Sequence, residues 1–200
     1  DPERSWSAEI GAKHEGEALS VRTALFYNLV ENYITDNTSL GTVNGFSTTQ
    51  FRNVGTVSLY GVEVEAAYNI TPDWQLFGNA SRTYTNDSNE VNVTDWVFNY
   101  GTSYRLNIQN YGIDTIEPTL FARTVLDTDA TAGNSLGTFP NQDGFTVLDF
   151  QVVLNTMETK YGQTKIIGGM HNLTNEEYFE PFFTTLQPER SFYVSIEHKF

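Results

Sequence analysis

The chain has 200 residues and a mass of 22.6 kDa, which is enough for one domain with a sizeable core. Its 25 acidic residues against 11 basic ones give a formal net charge of −14. This charge argues against nucleic-acid binding, because phosphate contacts need a basic surface. The apolar content of 39% excludes disorder, and no run approaches the roughly 18 consecutive apolar residues of a membrane helix.

In chain order, the sequence predicts nine β-strands. Trp6, Ala8 and Ile10 alternate with polar residues, and the same period of two recurs along most of the chain. The predicted strands cover residues 6–15, 19–35, 50–68, 74–85, 96–106, 115–127, 145–155, 164–172 and 190–200. No helix is predicted, because clusters of helix formers with helical spacing and caps are missing.

The connections between these strands alternate in length. The short ones are residues 16–18, 69–73, 107–112 and 156–163, and the long ones are residues 36–49, 86–95, 127–144 and 173–189. In an up-and-down meander, this places every short turn at one end and every long loop at the other. Such sorting is typical of an outer-membrane barrel, with short periplasmic turns and long extracellular loops. We therefore predict an all-β chain that forms an antiparallel, up-and-down transmembrane β-barrel wall.

Two stretches of the sequence carry a family resemblance. Residues 60–68 read Y-G-V-E-V-E-A-A-Y and are followed by I-T-P-D-W at 70–74. They resemble the S/Y-G-x-E-x-E strand and T-P turn of TonB-dependent outer-membrane receptors. Residues 169–178 read G-M-H-N-L-T-N-E-E-Y, similar to the N-L-x-[DN]-x-x-Y signature before that family's last strand. With P-E-R-S-F at 188–192 and the terminal Phe200, the pieces stand in the family's order along the whole chain.

The resemblance implies a domain organisation larger than this chain. The family has a 22-stranded barrel, a plug domain inside it and an N-terminal box that binds TonB. Nine strands are an odd number, whereas bacterial single-chain barrels use an even one. We therefore interpret residues 1–200 as the C-terminal portion of the barrel domain, without the plug domain or the TonB box.

The alternation also predicts which residues face lipid and which face the lumen. Tyr60, Val62 and Val64 are expected to face lipid, as is Ala66. Glu63 and Glu65 then point into the polar barrel interior. The alternative is an ordinary strand with a solvated acidic face.

The end of the chain resembles an assembly signal. In bacterial outer-membrane proteins, a terminal aromatic residue preceded by alternating apolar residues helps the assembly machinery recognise the last strand. The resemblance assigns this role to Phe200, Ile196 and Val194. Nearby, Asn172 is expected to bind backbone groups where the preceding strand leaves the sheet.

Candidate ligand-binding residues lie in the long connections. Aromatic side chains in a long loop are costly if they are merely solvated, so Tyr178, Phe182 and Phe183 should pack on something. Their partner is either the barrel wall or a ligand, and in the second case the rings form an aromatic platform on which the ligand lies. Asp127 and Asp129 in the preceding long loop complete the candidate set.

The resemblance implies a transport protein rather than an enzyme. We find no catalytic motif, no metal-ligand spacing and no cofactor signature in the sequence. The implied activity is uptake of a scarce nutrient across the bacterial outer membrane, with a ferric siderophore as the leading substrate and TonB as the energy source. The implied partners are that nutrient, the TonB complex, outer-membrane lipid and the barrel-assembly machinery, and no nucleic acid is expected. The alternatives are uptake of a saccharide or cobalamin, a passive porin, or a soluble all-β binding module.

Overall fold

A computed structural model describes residues 1–43, 45–87, 91, 93–127, 143–183 and 185–200. Twelve strands are formed over these residues: β1 (Arg4–Glu15), β2 (Leu19–Glu31), β3 (Ile34–Val43), β4 (Phe46–Asn53), β5 (Thr56–Thr71), β6 (Trp74–Thr85), β7 (Val97–Tyr104), β8 (Leu106–Asn110), β9 (Ile113–Val125), β10 (Phe145–Thr156), β11 (Gln163–His171) and β12 (Ser191–Lys199). Within this part of the chain, no helix is long and apolar enough to cross a membrane.

Nine of these strands form one path through the main sheet. Their order is β1-β2-β5-β6-β7-β9-β10-β11-β12, every pairing is antiparallel, and β8 extends β7 by pairing with β9. Each of the nine strands thus pairs with its neighbours in chain order. The predicted all-β antiparallel meander is confirmed, with the short connections at one end of the sheet and the long ones at the other. The predicted short turn at residues 107–112 is wrong in extent, because residues 107–110 belong to β8 and pair with β9.

The prediction of a plain loop over residues 36–49 is wrong. These residues extend the hairpin of β2 and β5 as a separate two-stranded sheet of β3 and β4. Asn32 and Gly55, both with positive φ, interrupt the two sides of the hairpin at the same level. Across this break, the N–H of Tyr33 donates to the carbonyl of Gly55, and the N–H of Val54 donates to the carbonyl of Tyr33, each at 2.9 Å.

The main sheet has one apolar and one polar face. Directly paired residues point to the same face, so the register defines both sets. The apolar face includes Trp6, Ile10, Leu25, Tyr27, Tyr60, Val62, Val64, Leu76, Phe98, Leu120, Phe150, Ile166, Val194 and Ile196. The polar face includes Ser7, Glu9, Lys13, Arg22, Glu63, Glu65, Asn79, Asn99, Arg123, Asp149, Gln151, Lys165, His171 and Glu197. Arg82 is a charged exception on the apolar face, where it forms an ion pair with Asp95.

Aromatic side chains lie in two rows on the apolar face. Near the long connections, Tyr60 stacks between Tyr27 and Tyr84, with ring centroids 6.3 and 5.5 Å away. Near the short connections, Tyr68 and Trp74 lie on adjacent strands. The nine residues from Tyr60 to Tyr68 match the roughly 9–11 residues that a tilted strand needs to cross the hydrocarbon of a membrane.

Three glycines on the polar face, Gly61, Gly101 and Gly169, lie under aromatic rings of neighbouring strands. Gly61 pairs directly with Phe26, and a Cβ built on Gly61 would lie 2.6 Å from the Phe26 ring and overlap the carbonyl oxygen of Arg82. Gly101 lies under Phe77 in the same way, with 2.8 Å between a built Cβ and the ring. At these positions, the missing side chain is what lets an aromatic ring lie flat on the wall.

Candidate functional site

The connection between β11 and β12 folds back onto the polar face at the long-loop end of the sheet. Its anchor is Asn172, which is completely buried and has a left-handed backbone, with φ 55°. The side-chain amide donates to the carbonyls of Glu176, at 2.8 Å, and Pro188, at 3.3 Å, and its oxygen accepts the Glu176 N–H at 2.7 Å. One side chain thus fastens both ends of the loop, as expected for an asparagine at the end of a strand.

The other signature positions of this segment also hold the loop in place. The N–H of Leu173 donates to the carbonyl of Leu148 at 2.6 Å. Asn175 has φ 57°, and its side-chain oxygen accepts the N–H of Arg190 at 2.9 Å. The N-L-x-[DN]-x-x-Y signature therefore describes one compact loop structure.

Tyr178, the last residue of the signature, packs on the wall. It is 7% exposed, and its ring lies 4.4 Å from the ring of Phe145, in a cluster with Val125 and Val147. Burial raises the pKa of the Tyr178 phenol above its ordinary value of 10.0, and the nearby Glu180 carboxylate contributes to this rise. This packing holds the part of the loop around Tyr178 against strands β9 and β10.

A salt bridge joins the loop to the wall beside Tyr178. The Nη1 of Arg123, on β9, donates to both carboxylate oxygens of Glu180, at 2.7 and 2.9 Å. The guanidinium also lies over the ring of Phe145, with its central carbon 5.5 Å from the centroid. The pair is only partly exposed, so it is screened less than a surface salt bridge.

A second polar group supports the base of the loop. The carboxylate of Asp149, on β10, accepts the backbone N–H of Asn172 at 2.7 Å and lies 2.8 Å from Nδ1 of His171. Asp149 therefore aligns the end of β11 with the start of the loop.

The structure places Tyr178, Phe182 and Phe183 in the connection between β11 and β12, and Asp127 just after β9. Phe183 is 60% exposed, whereas Phe182 is half-buried with φ 66°, at a turn where the Phe183 N–H donates to the carbonyl of Glu180. The carboxylate of Asp127 accepts the N–H of Gly144 at 2.6 Å and so closes the base of its own loop. Asp129 lies outside the described residues.

The other predicted residues lie away from this loop. Glu63 and Glu65 lie side by side on the polar face, and a carboxylate oxygen of Glu65 is 4.0 Å from Nη1 of Arg22. Val194 and Ile196 lie on the apolar face of the edge strand β12. Phe200 is fully exposed and contacts the ring of His198.

Sequence reasoning missed Arg123 and Glu180. The alternation of β9 carried a signal for Arg123, since it placed this cation on the polar face of a predicted strand. Nothing in the sequence indicated which acidic residue of the following loops would reach it.

Replacing Asn172 with alanine should release the loop without unfolding the wall. The change leaves two part-buried backbone groups of Glu176 without their partner, which we expect to cost the closed loop about 1 kcal/mol. Hydrogen exchange over residues 173–183 should become faster. Asn69→Ala at the opposite end is the control; it removes the bonds of this side chain to the Glu17 carbonyl, at 3.4 Å, and from Nε2 of Gln75, at 2.9 Å. Equal protection of the loop in both variants would contradict the anchoring role.

Comparison with known proteins identifies the family of this wall. The sequence profile described as TonB dependent receptor-like, beta-barrel matches residues 1–172. No curated protein matches the chain by sequence. The chain belongs to the TonB-dependent receptor β-barrel family, and its sheet corresponds to a portion of that family's barrel.

Solved structures of several transport proteins share the fold. The copper transporter OprC has a TM-score of 0.81 at 20% identity, over 100% of this chain and 31% of its own. The FrpB iron transporter from Neisseria meningitidis has a TM-score of 0.73 at 16% identity, over 97% and 31%. The ferripyoverdine receptor of the outer membrane of Pseudomonas aeruginosa has a TM-score of 0.66 at 17% identity, over 98% and 27%. The chain thus spans about a third of the length of these proteins.

Proposed function

We propose that residues 1–200 form the C-terminal part of the barrel of an outer-membrane receptor that imports a scarce nutrient. The leading substrate is a ferric siderophore, and TonB supplies the energy through a region outside this chain. The observation that carries the proposal is the family match over residues 1–172. The matched residues form a sheet with one apolar and one polar face, as a barrel wall requires. The structures that share this fold include a copper transporter, an iron transporter and a ferripyoverdine receptor, so the fold is compatible with a metal or a metal chelate as the cargo.

The two faces supply the membrane side and the transport side of the wall. The apolar face, with Val62 and Val64 between the two aromatic rows, contacts lipid. Glu63 and Glu65 face the lumen together with Arg22. Because Leu25 is 57% exposed on the apolar face of β2, although strands pair with β2 on both sides, a lipid environment accounts for it better than water does. This observation weighs against a soluble binding module.

The proposal is tested on the full-length receptor in its native cells. We expect the protein in the outer-membrane fraction, expression repressed by iron, and TonB-dependent uptake of radiolabelled iron from at least one ferric siderophore. Recovery in the soluble fraction would eliminate both a receptor and a porin. Uptake without TonB would favour a passive porin, and expression indifferent to iron would favour a saccharide or cobalamin as the substrate.

Alanine at Phe182 and Phe183 tests the aromatic platform. Both residues lie at the turn of the loop, and Phe183 is exposed at the long-loop end of the polar face. We expect the double variant to lose at least about tenfold in uptake while the yield of folded barrel stays normal, since a buried aromatic contact contributes about 1–3 kcal/mol. Phe46→Ala, in the projecting β3–β4 hairpin, is the matched control because its side chain is also strongly exposed. Lost barrel yield, or unchanged uptake, would leave these residues with a packing role only.

A further inference from the structure

Arg123 is a cation in an unusual place on the polar face. The other lysines and arginines on that face in the described main sheet, among them Lys13, Arg22 and Lys165, lie in the half nearest the short connections. Arg123 lies in the half nearest the long connections, where β9 ends. In a chain with a net charge of −14, an anion that arrives from the long-loop end meets this guanidinium on the wall.

The contact between Arg123 and Glu180 leaves most of the guanidinium unused. Both carboxylate oxygens contact the single nitrogen Nη1, at 2.7 and 2.9 Å. Arginine binds a carboxylate best through two parallel bonds from two nitrogens. Among the described residues, Nε and Nη2 of Arg123 have no hydrogen-bond partner, and the side chain is 35% exposed. A second carboxylate therefore has access to the stronger, two-nitrogen arrangement.

Glu180 links its salt bridge with Arg123 to the turn that contains Phe182 and Phe183. The N–H of Phe183 donates to the carbonyl of Glu180 at 3.0 Å, so the two residues belong to one tight turn. On the other side, Tyr178 is fixed in the cluster with Phe145. If Glu180 leaves Arg123, the turn moves while the base of the loop stays attached to the wall.

We infer that Arg123 recognises a carboxylate group of the ligand, and that Glu180 is the chain's own carboxylate, which the ligand displaces. The inference rests on the proposed function and narrows its substrate class to carboxylate-bearing metal chelates. Displacement exchanges one carboxylate for another on the same guanidinium, so the net charge of this partly exposed ion pair does not change. The ligand thereby releases the turn that carries Phe183.

The test compares two variants of the full-length receptor, with ferric citrate as the probe. Glu180→Gln removes the competing carboxylate, and we expect it to bind ferric citrate about tenfold more tightly than the wild type. Arg123→Gln removes the recognising group and should bind the probe at least about tenfold more weakly. If both substitutions weaken binding, or if the wild type and Glu180→Gln fail to bind ferric citrate, the inference is overturned.

Two controls separate recognition from general charge effects. Glu197→Gln removes a carboxylate that faces Lys165 at 3.8 Å, near the short connections, and should leave binding unchanged. A neutral trihydroxamate complex of iron carries no carboxylate, so its binding should respond to neither Arg123→Gln nor Glu180→Gln. A change in trihydroxamate binding equal to that of ferric citrate would overturn the inference.

The displacement itself is measured at Phe183. Because the chain contains no cysteine, Phe183→Cys provides one site in this chain for a nitroxide spin label. In the Phe183→Cys variant with no other change, we expect ferric citrate to make the label more mobile. When Glu180→Gln is added, the label should already be mobile without ferric citrate. Unchanged mobility on binding would overturn the displacement. Iron uptake by the wild type from any chelate tests the proposed function separately, so its loss is distinguishable from a failure of this inference.

Discussion

Replacing Gly61 with alanine is expected to destabilise the barrel by about 3 kcal/mol, near the upper end of the range for overpacking. The new methyl group would lie 2.6 Å from the ring of Phe26 and overlap the backbone oxygen of Arg82. The ring can move, but the backbone oxygen belongs to the hydrogen-bond ladder between β5 and β6 and cannot shift without breaking it. Urea unfolding of the full-length receptor and the yield of heat-modifiable barrel measure the loss.

Gly168→Ala is the matched control for this substitution. Gly168 lies inside β11 on the apolar face, and a Cβ built there meets no atom within 4 Å. We expect its free energy of unfolding to stay within about 0.5 kcal/mol of the wild type or to rise slightly, since alanine restricts the unfolded chain. Equal losses for the two variants would show that the close approach at Gly61 is not what requires a glycine.

Val64→Arg is expected to cost the barrel about 2–4 kcal/mol, because it places a charge on the apolar face midway between the aromatic rows. The neighbours of Val64 on that face are Thr23 and Ala80, and neither carries a negative charge that could form an ion pair with the new guanidinium. The loss should appear as a lower yield of folded receptor in the outer membrane.

Glu63→Arg is the comparison for the opposite face. Its neighbours there are Ala24 and Ser81, and Glu65 lies two residues further along the strand, so a positive charge stays among polar groups and water. We expect a barrel yield close to that of the wild type. Equal effects of Val64→Arg and Glu63→Arg would mean that the two faces of β5 do not separate lipid from lumen.

The alternation of residues was sufficient to predict the wall. Around Tyr60 and Val62, a period of two places large apolar side chains on one face and glutamates on the other. A slip of one residue would exchange the two faces, so the alternation determines the register of the strand. The nine strands of the main sheet follow that prediction. Residues 164–172 were less clear, because glycines blur the alternation. There, the pairing of Ile166 with Ile196 assigns the faces.

The parts that sequence could not predict depend on contacts between distant segments. Arg123 and Glu180 are 57 residues apart, and their contact requires a loop that folds back on the wall. The turn of that loop uses φ 66° at Phe182, a conformation that the residue type disfavours and only tertiary packing enforces. Residues 36–49 of the β3–β4 hairpin were predicted as a loop because their many small polar residues resemble a connection, and strand propensity is weak where side chains such as Phe46 stay exposed.

The interruption at Asn32 and Gly55 has a consequence for how this protein changes over evolution. The two backbone hydrogen bonds at that level complete the ladder of the wall, so the arm of β3 and β4 begins a pairing of its own. Insertions near Gly45, at the tip, lengthen the arm without shifting the register of β2 against β5. The arm can therefore change in length and sequence while the wall below keeps its pairing.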